Sequence, residues 1–179
     1  METKTLRFAG FGGQGIVKAG EILGMAAVAD GKRSLQNQSY GSSARGGLCT
    51  SDVTVAEGEI YEIEPDRFDV MVILSQDSCN AFLREVKEDG VVLFEEELVK
   101  LPEGFGGTAH GIPATQIAAK ELGRRIVTNM VVIGFCGAVT GLVSREALEK
   151  VIRQNVPAGT ESLNLKALDQ GWQRGEAIK

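Results

Sequence analysis

Leu6-Arg7-Phe8-Ala9-Gly10, then Phe11-Gly12-Gly13-Gln14-Gly15, then the apolar run from Ile16 to Ala29 open the chain as a strand, a turn and a helix. Gly10, Gly12 and Gly15 match the G-x-G-x-x-G dinucleotide fingerprint in spacing and in context, with a short apolar stretch before and a helical period after. The rest of that fingerprint is missing. A dinucleotide-binding fold carries a carboxylate about 20 residues past the glycines, at the end of its second strand. Here the candidate second strand, 34–39, reads Ser-Leu-Gln-Asn-Gln-Ser, and Asp30 lies before it beside Gly31 as a helix-exit turn residue. No G-K-[ST] makes a phosphate-binding P-loop either. Two readings stay open for the glycines. They line a helix N-terminus whose unpaired N–H groups hold an anion, or they only let the helix pack close to the sheet.

The chain alternates between the two backbone periods farther along. Residues 48–55 alternate as a strand, 57–59 read as a turn, and 60–63 return as a second strand, which predicts an antiparallel hairpin. The near-continuous apolar run 68–74 predicts a strand buried on both faces. Ser75 and Asp77 supply N-cap chemistry for a helix through 81–87, and Gly90 turns into a buried strand over 91–94. From Pro113 the pattern is helical: 114–122 closed by Gly123, an uncharged helix over 130–143 capped by Asn129, a helix opened by Ser144, and a last amphipathic helix carrying Leu165, Leu168 and Trp172. Gly134, Gly137 and Gly141 recur on the uncharged helix, either to admit another helix of the same domain or to form a seam between subunits. The expected architecture is α/β with three layers: a mostly parallel central sheet, one antiparallel hairpin and a helix-rich C-terminal part, in a single domain over 1–179.

Composition narrows the function. The 179 residues carry a net charge of -5 and no basic run, which argues against nucleic acid or an anionic membrane as partner. Glycine is the outlier, at 23 residues, well above the roughly 7% average. Cys49, Cys79 and Cys136 are odd in number and far apart, so neither a disulfide framework nor a metal or iron–sulfur site is written in their spacing. The opening Met1-Glu2-Thr3-Lys4 lacks the apolar core of a signal peptide, and a cytoplasmic location is expected. Catalytic constellations are scarce. His110 is the lone histidine, in an expected loop, and Glu95-Glu96-Glu97 reads as a solvated turn. Arg45 stands out as a permanent cation among small residues, Ser42-Ser43-Ala44-Arg45-Gly46-Gly47, with Tyr40 nearby. That segment is either an anion-binding loop or a solvent-facing one.

Taken together, Gly10-Phe11-Gly12-Gly13-Gln14-Gly15 with Ala19-Gly20 and Leu23, and Gln38-Ser39-Tyr40-Gly41 followed by Arg45-Gly46-Gly47, resemble the gamma subunit of the 2-oxoacid:ferredoxin (acceptor) oxidoreductases. Phe68-Asp69-Val70, Leu74-Ser75-Gln76, Pro113-Ala114-Thr115, Ile117-Ala118, Asn129-Met130, Asn164 and Ala167-Leu168 extend the likeness over nearly the whole chain. The resemblance implies a subunit of a complex that oxidatively decarboxylates a 2-oxoacid with coenzyme A, giving acyl-CoA, carbon dioxide and electrons for ferredoxin. It implies partners of alpha and beta type, with delta as a further candidate, that hold thiamine diphosphate, magnesium and iron–sulfur clusters. This chain has neither a G-D-G thiamine motif nor cluster spacing, so no cofactor is expected on it alone, no catalytic residue and no metal ligand. Its expected role is structural or coenzyme-A-facing, through Gly12, Gly13, Gln14, Gly15, Tyr40, Arg45, Gly46 and Gly47. Among substrates the resemblance favours 2-oxoglutarate over branched-chain 2-oxoacids and pyruvate. Two other classes stay open: a self-sufficient nucleotide-binding module built on the glycine loop, and a scaffold that self-associates when isolated.

Overall fold

The computed structural model describes residues 3–40 and 47–179. Its centre is a six-stranded sheet in the order β2-β3-β1-β4-β5-β6. The strands are β1 (Thr3–Phe11), β2 (Arg33–Tyr40), β3 (Leu48–Ala56), β4 (Phe68–Ile73), β5 (Val86–Glu95) and β6 (Thr108–Ile112). β1, β4, β5 and β6 run parallel, while β3 is antiparallel to both β1 and β2. The α/β class and the mixed, mostly parallel sheet are therefore as the sequence leads one to expect.

The hairpin is placed differently. β3 pairs with the segment before it, β2, and not with 60–63, which form no strand. The reason lies in what each segment can bury. Ser34 and Gln36 of β2 face the glycines of the first helix, whereas Tyr61 and Ile63 point largely to solvent. Asn37 of β2 instead ties down the later segment by donating from Nδ2 to the Ile63 carbonyl at 2.5 Å.

Among the described residues six α-helices complete the fold: α1 (Ile16–Ala29), α2 (Gln76–Phe82), α3 (Ala114–Gln116), α4 (Thr128–Thr140), α5 (Arg145–Asn155) and α6 (Glu161–Glu176). α2 ends at Phe82, short of the expected run through residue 87, because the chain passes through a single 3-10 turn at Leu83–Glu85 and enters β5 at Val86. Gly90 consequently sits inside a strand, beside an irregularity in the β4–β5 register. β6, which contains His110, was unannounced by any apolar alternation. α3 continues into a π-type turn, Ile117–Glu121, before Gly123 closes it with φ at 69°. Ser144 caps α5, its hydroxyl accepting from the Ala147 N–H at 3.1 Å. Asn129 does not cap α4, which begins one residue earlier at Thr128.

Alternation on β1 assigns the two faces of the sheet. Leu6 and Phe8 enter the larger core with α1, α4, α5 and α6. Arg7 points to the other face, where Phe68, Met71, Ile73 and Cys79 of α2 form a smaller core. Arg7 lies 4.2 Å above the Phe68 ring and donates to Asp52 at 2.7 and 2.6 Å and to Glu85. Helices, sheet and the α2 side thus make the three layers.

The glycine-rich α4 is an internal helix. A Cβ at Gly134 would stand 2.1 Å from the Leu168 carbonyl oxygen of α6, and one at Gly171 would stand 1.9 Å from that of Val131. The two backbones touch through paired glycines, which settles the stripe as a seam within the fold. Gly141 belongs to the helix end, with φ at 64°. No helix among the described residues is long and apolar enough to cross a membrane.

Candidate functional site at the carboxyl edge of the sheet

After β1 the chain crosses by α1 on one face toward β2 and β3. After β4 it crosses by α2 on the opposite face toward β5. The loops beyond β1 and β4 therefore diverge, and the crevice between them is where open α/β sheets bind ligands. A cleft of about 190 Å³ opens there, lined by Gly13, Gln14, Leu74, Glu95, Arg125 and Thr128, among others.

The glycine loop forms the first wall. Gly13 and Gly15 take φ of 101° and 75°, a region that L side chains avoid, so glycine is required at both. Gly15 is the residue before α1 and offers no side-chain cap, leaving the first-turn N–H groups without one. Gln14 holds the loop shut: its Oε1 accepts from the Phe11 N–H at 2.6 Å and its Nε2 donates to the Leu74 carbonyl at 2.9 Å. Gln14 is thus a positioning residue that clamps the ends of β1 and β4 together. Gly10 is needed beneath it, since a Cβ there would stand 2.5 Å from Gln14 Oε1.

The two motifs of the sequence meet at this edge. Tyr40 pairs with Cys49, which pairs with Gly10, so the end of β2 lies two strand spacings, about 10 Å, from the glycine loop. Gly12 donates its N–H to the Gly47 carbonyl at 3.1 Å, joining the loops directly. Tyr40 is 63% exposed, so its ring and hydroxyl are presented outward. Arg45 and Gly46 lie outside the described residues.

Two residues of the cleft escaped the sequence reading. Glu95, expected in a solvated turn, is 1% exposed at the end of β5. Its carboxylate accepts from Thr115 N–H at 2.8 Å, Thr115 Oγ1 at 3.0 Å and Glu97 N–H at 3.3 Å. Burial pushes its pKa up, and the hydrogen bonds oppose that only in part. The signal available was position: a carboxylate directly ending a buried parallel strand points at the ligand edge. Arg125 is exposed on a 3-10 turn before α4, and its guanidinium makes no ion pair among the described residues. It lines the cleft and brings it a permanent positive charge.

The geometry answers the dinucleotide question. In that fold the strand after the first helix lies beside the first strand, bringing its terminal carboxylate to the ribose. Here β3 is inserted between β1 and β2, and β2 ends in Tyr40. The self-sufficient nucleotide-binding reading is therefore not favoured.

A family profile described as pyruvate ferredoxin/flavodoxin oxidoreductase matches residues 5–174. The chain belongs to that family. It is 43% identical over 174 residues to the 2-oxoglutarate synthase subunit KorC of Methanocaldococcus jannaschii, covering 95% of this chain and 92% of the relative. The crystal structure of the gamma subunit of keto/oxoacid ferredoxin oxidoreductase from Geobacter sulfurreducens is 38% identical, with a TM-score of 0.86 over 97% of this chain and 99% of that one. The same fold, at 22% identity and a TM-score of 0.91, accounts for 32% of a longer chain in the 2-oxoglutarate:ferredoxin oxidoreductase of Magnetococcus marinus, a structure with 2-oxoglutarate, coenzyme A and succinyl-CoA bound. The chain is accordingly a gamma-type subunit of an oxidoreductase complex.

The residues present do not fit an iron–sulfur cluster or a divalent metal site. Cys49, Cys79 and Cys136 are each buried in separate elements, and burial pushes the Cys136 thiol up to about 12. Among the described residues no group of three or more histidine, cysteine, aspartate or glutamate side chains could hold a metal ion.

Proposed function

We propose that this chain, as a single domain over 1–179, is the gamma subunit of a cytoplasmic complex that oxidatively decarboxylates 2-oxoglutarate with coenzyme A. The products are succinyl-CoA, carbon dioxide and two electrons for ferredoxin. The observation that carries the substrate is the full-length 43% identity to a 2-oxoglutarate synthase subunit. Alpha- and beta-type subunits hold the thiamine diphosphate, magnesium and clusters. This chain binds and positions.

The carboxyl-edge cleft is its working surface. Arg125 lines the cleft beside Gly13 and Gln14 of the glycine loop, and a guanidinium next to a glycine-lined backbone is a combination suited to a phosphate. Gly13 lets a ligand approach the backbone, the Gly12–Gly47 hydrogen bond ties the neighbouring loop to it, and Gln14 keeps that backbone in place. Tyr40, Arg45 and Gly46 extend the same edge in sequence. Coenzyme A, with its phosphates, is the substrate of the complex that such a cleft suits.

The test is a complex assembled from this chain with its alpha and beta partners and assayed for 2-oxoacid- and coenzyme-A-dependent reduction of a viologen dye. The expected result is no turnover by the isolated chain and a complex whose kcat/KM is highest for 2-oxoglutarate. Preference for pyruvate or 2-ketoisovalerate would overturn the substrate, and turnover by the isolated chain would overturn the subunit role.

A further inference from the structure

The hydroxyl groups of the carboxyl-edge cleft have their protons already spent. Thr115 and Thr128 both line it, together with Arg125. A threonine hydroxyl has one proton and two lone pairs, whereas a guanidinium only donates. Thr128 Oγ1 donates its proton to the Arg125 carbonyl at 2.7 Å. Thr115 Oγ1 donates its own to the Glu95 carboxylate at 3.0 Å, and the Thr115 N–H reaches the same oxygen at 2.8 Å. The N–H bond fixes the residue and the hydroxyl bond fixes the rotor. Glu95 is 1% exposed, so water does not compete for that carboxylate. Both threonine oxygens therefore turn only lone pairs toward an approaching ligand. The Gln14 amide is engaged with backbone groups at both of its polar atoms.

This arrangement sorts ligands by their protons. Arg125 suits an anion, but an anion alone leaves the two threonine oxygens facing further oxygens without a proton between them. The 2-oxoglutarate dianion carries acceptors only. Coenzyme A carries hydroxyl, amine and amide donors in addition to its phosphates. Leu98 and Ile126, which also line the cleft, are 46% and 85% exposed. They add an apolar surface that a small anion would leave in water and an organic phosphate would cover.

We infer that Thr115 and Thr128 are specificity-determining residues of the cleft. Their oxygens accept from an O–H or N–H group of the nucleotide part of coenzyme A, while Arg125 takes a phosphate. Glu95 is the positioning residue that fixes Thr115 as an acceptor. The inference rests on the coenzyme-A-facing reading of the cleft and assigns how the cleft tells coenzyme A from the 2-oxoacid.

Near-isosteric variants in the assembled complex test it. Thr115→Val and Thr128→Val remove a hydroxyl at nearly constant volume, and Thr115→Ser and Thr128→Ser keep it. The probe is the adenosine bisphosphate that forms the nucleotide part of coenzyme A, and sulfate, which has no proton to donate, is the comparison. Both are measured as inhibitors competing with coenzyme A. Each valine variant is expected to raise the KM for coenzyme A and the inhibition constant of the nucleotide about three- to tenfold, as the loss of one neutral hydrogen bond does. The inhibition constant of sulfate and the KM for 2-oxoglutarate should not follow, and the serine variants should match the parent. Unchanged nucleotide inhibition in both valine variants would overturn the acceptor role. Equal weakening of nucleotide and sulfate would overturn it too, by showing a general loosening of the cleft. In either case a raised KM for coenzyme A in Arg125→Ala leaves the reading of the cleft in place, and an unchanged one overturns both. Should Thr115→Val fail to fold, Thr128→Val decides alone, because its hydroxyl bonds only a carbonyl of its own turn.

Discussion

Asp69 and Glu95 show how one sheet sets two carboxylates in opposite directions. Asp69 is partly buried, which alone would raise its pKa, but Lys87 Nζ at 2.9 Å and the Thr5 N–H and hydroxyl at 2.8 and 2.9 Å hold it below the ordinary value. Its stabilising effect is present above the unfolded pKa of about 3.9 and is lost as pH falls through the lowered value. Asp69→Asn is expected to cost about 1 to 2 kcal/mol at neutral pH, less than a fully buried ion pair because solvent screens Lys87. Urea unfolding across pH checks this: the gap between variant and parent should close below about pH 4, and a gap independent of pH would remove the charge from the account. Glu95 has the reverse linkage. Its raised pKa gives stability that is full below about 4.3 and is lost as pH rises through the raised value. Glu95 bears that cost where it lines the cleft and holds Thr115 at the start of α3.

At the scale of elements, the seam between α4 and α6 depends on absent side chains. Alanine in a helix interior is ordinarily better than glycine by about 1 kcal/mol. At Gly171 the added Cβ would stand 1.9 Å from a backbone carbonyl, an atom that cannot rotate away. Overpacking typically costs about 1 to 3 kcal/mol or more and outweighs the helical gain. Gly171→Ala is therefore expected to destabilise the chain by about 2 kcal/mol in chemical denaturation, and a neutral or stabilising result would mean that the helices do not touch there. The sequence made such elements legible in proportion to their periodicity. β1, α1, β4, α5 and α6 follow from apolar spacing, caps and glycine stops that act over a few residues. β6 did not, because Thr108-Ala109-His110-Gly111-Ile112 lacks alternation and becomes a strand only through pairing with β5. The partner of β3 was equally hidden, since pairing is decided by what α1 covers. At the site, the glycine loop was legible from its spacing. Glu95 and Arg125 were not, because 80 or more residues separate them from that loop and only the sheet order unites them.

For the whole molecule, the order β2-β3-β1-β4-β5-β6 explains why a nucleotide fingerprint serves a different purpose here. Inserting the antiparallel β3 beside β1 removes the ribose-binding position but keeps the switch point between β1 and β4, and with it the cleft. The proposed anion-binding role of the gamma-type subunit rests on that cleft, and the chemistry of the complex is expected on other chains. Measurement of the apparent KM for coenzyme A in the assembled complex carrying Arg125→Ala tests this claim most directly. Arg125 is exposed and makes no ion pair among the described residues, so the substitution leaves the fold intact. Loss of a charge-assisted contact worth about 1.5 to 3 kcal/mol predicts a KM for coenzyme A raised roughly tenfold or more, with the KM for 2-oxoglutarate unchanged. An unchanged KM for coenzyme A in an intact complex would contradict the assignment of the cleft.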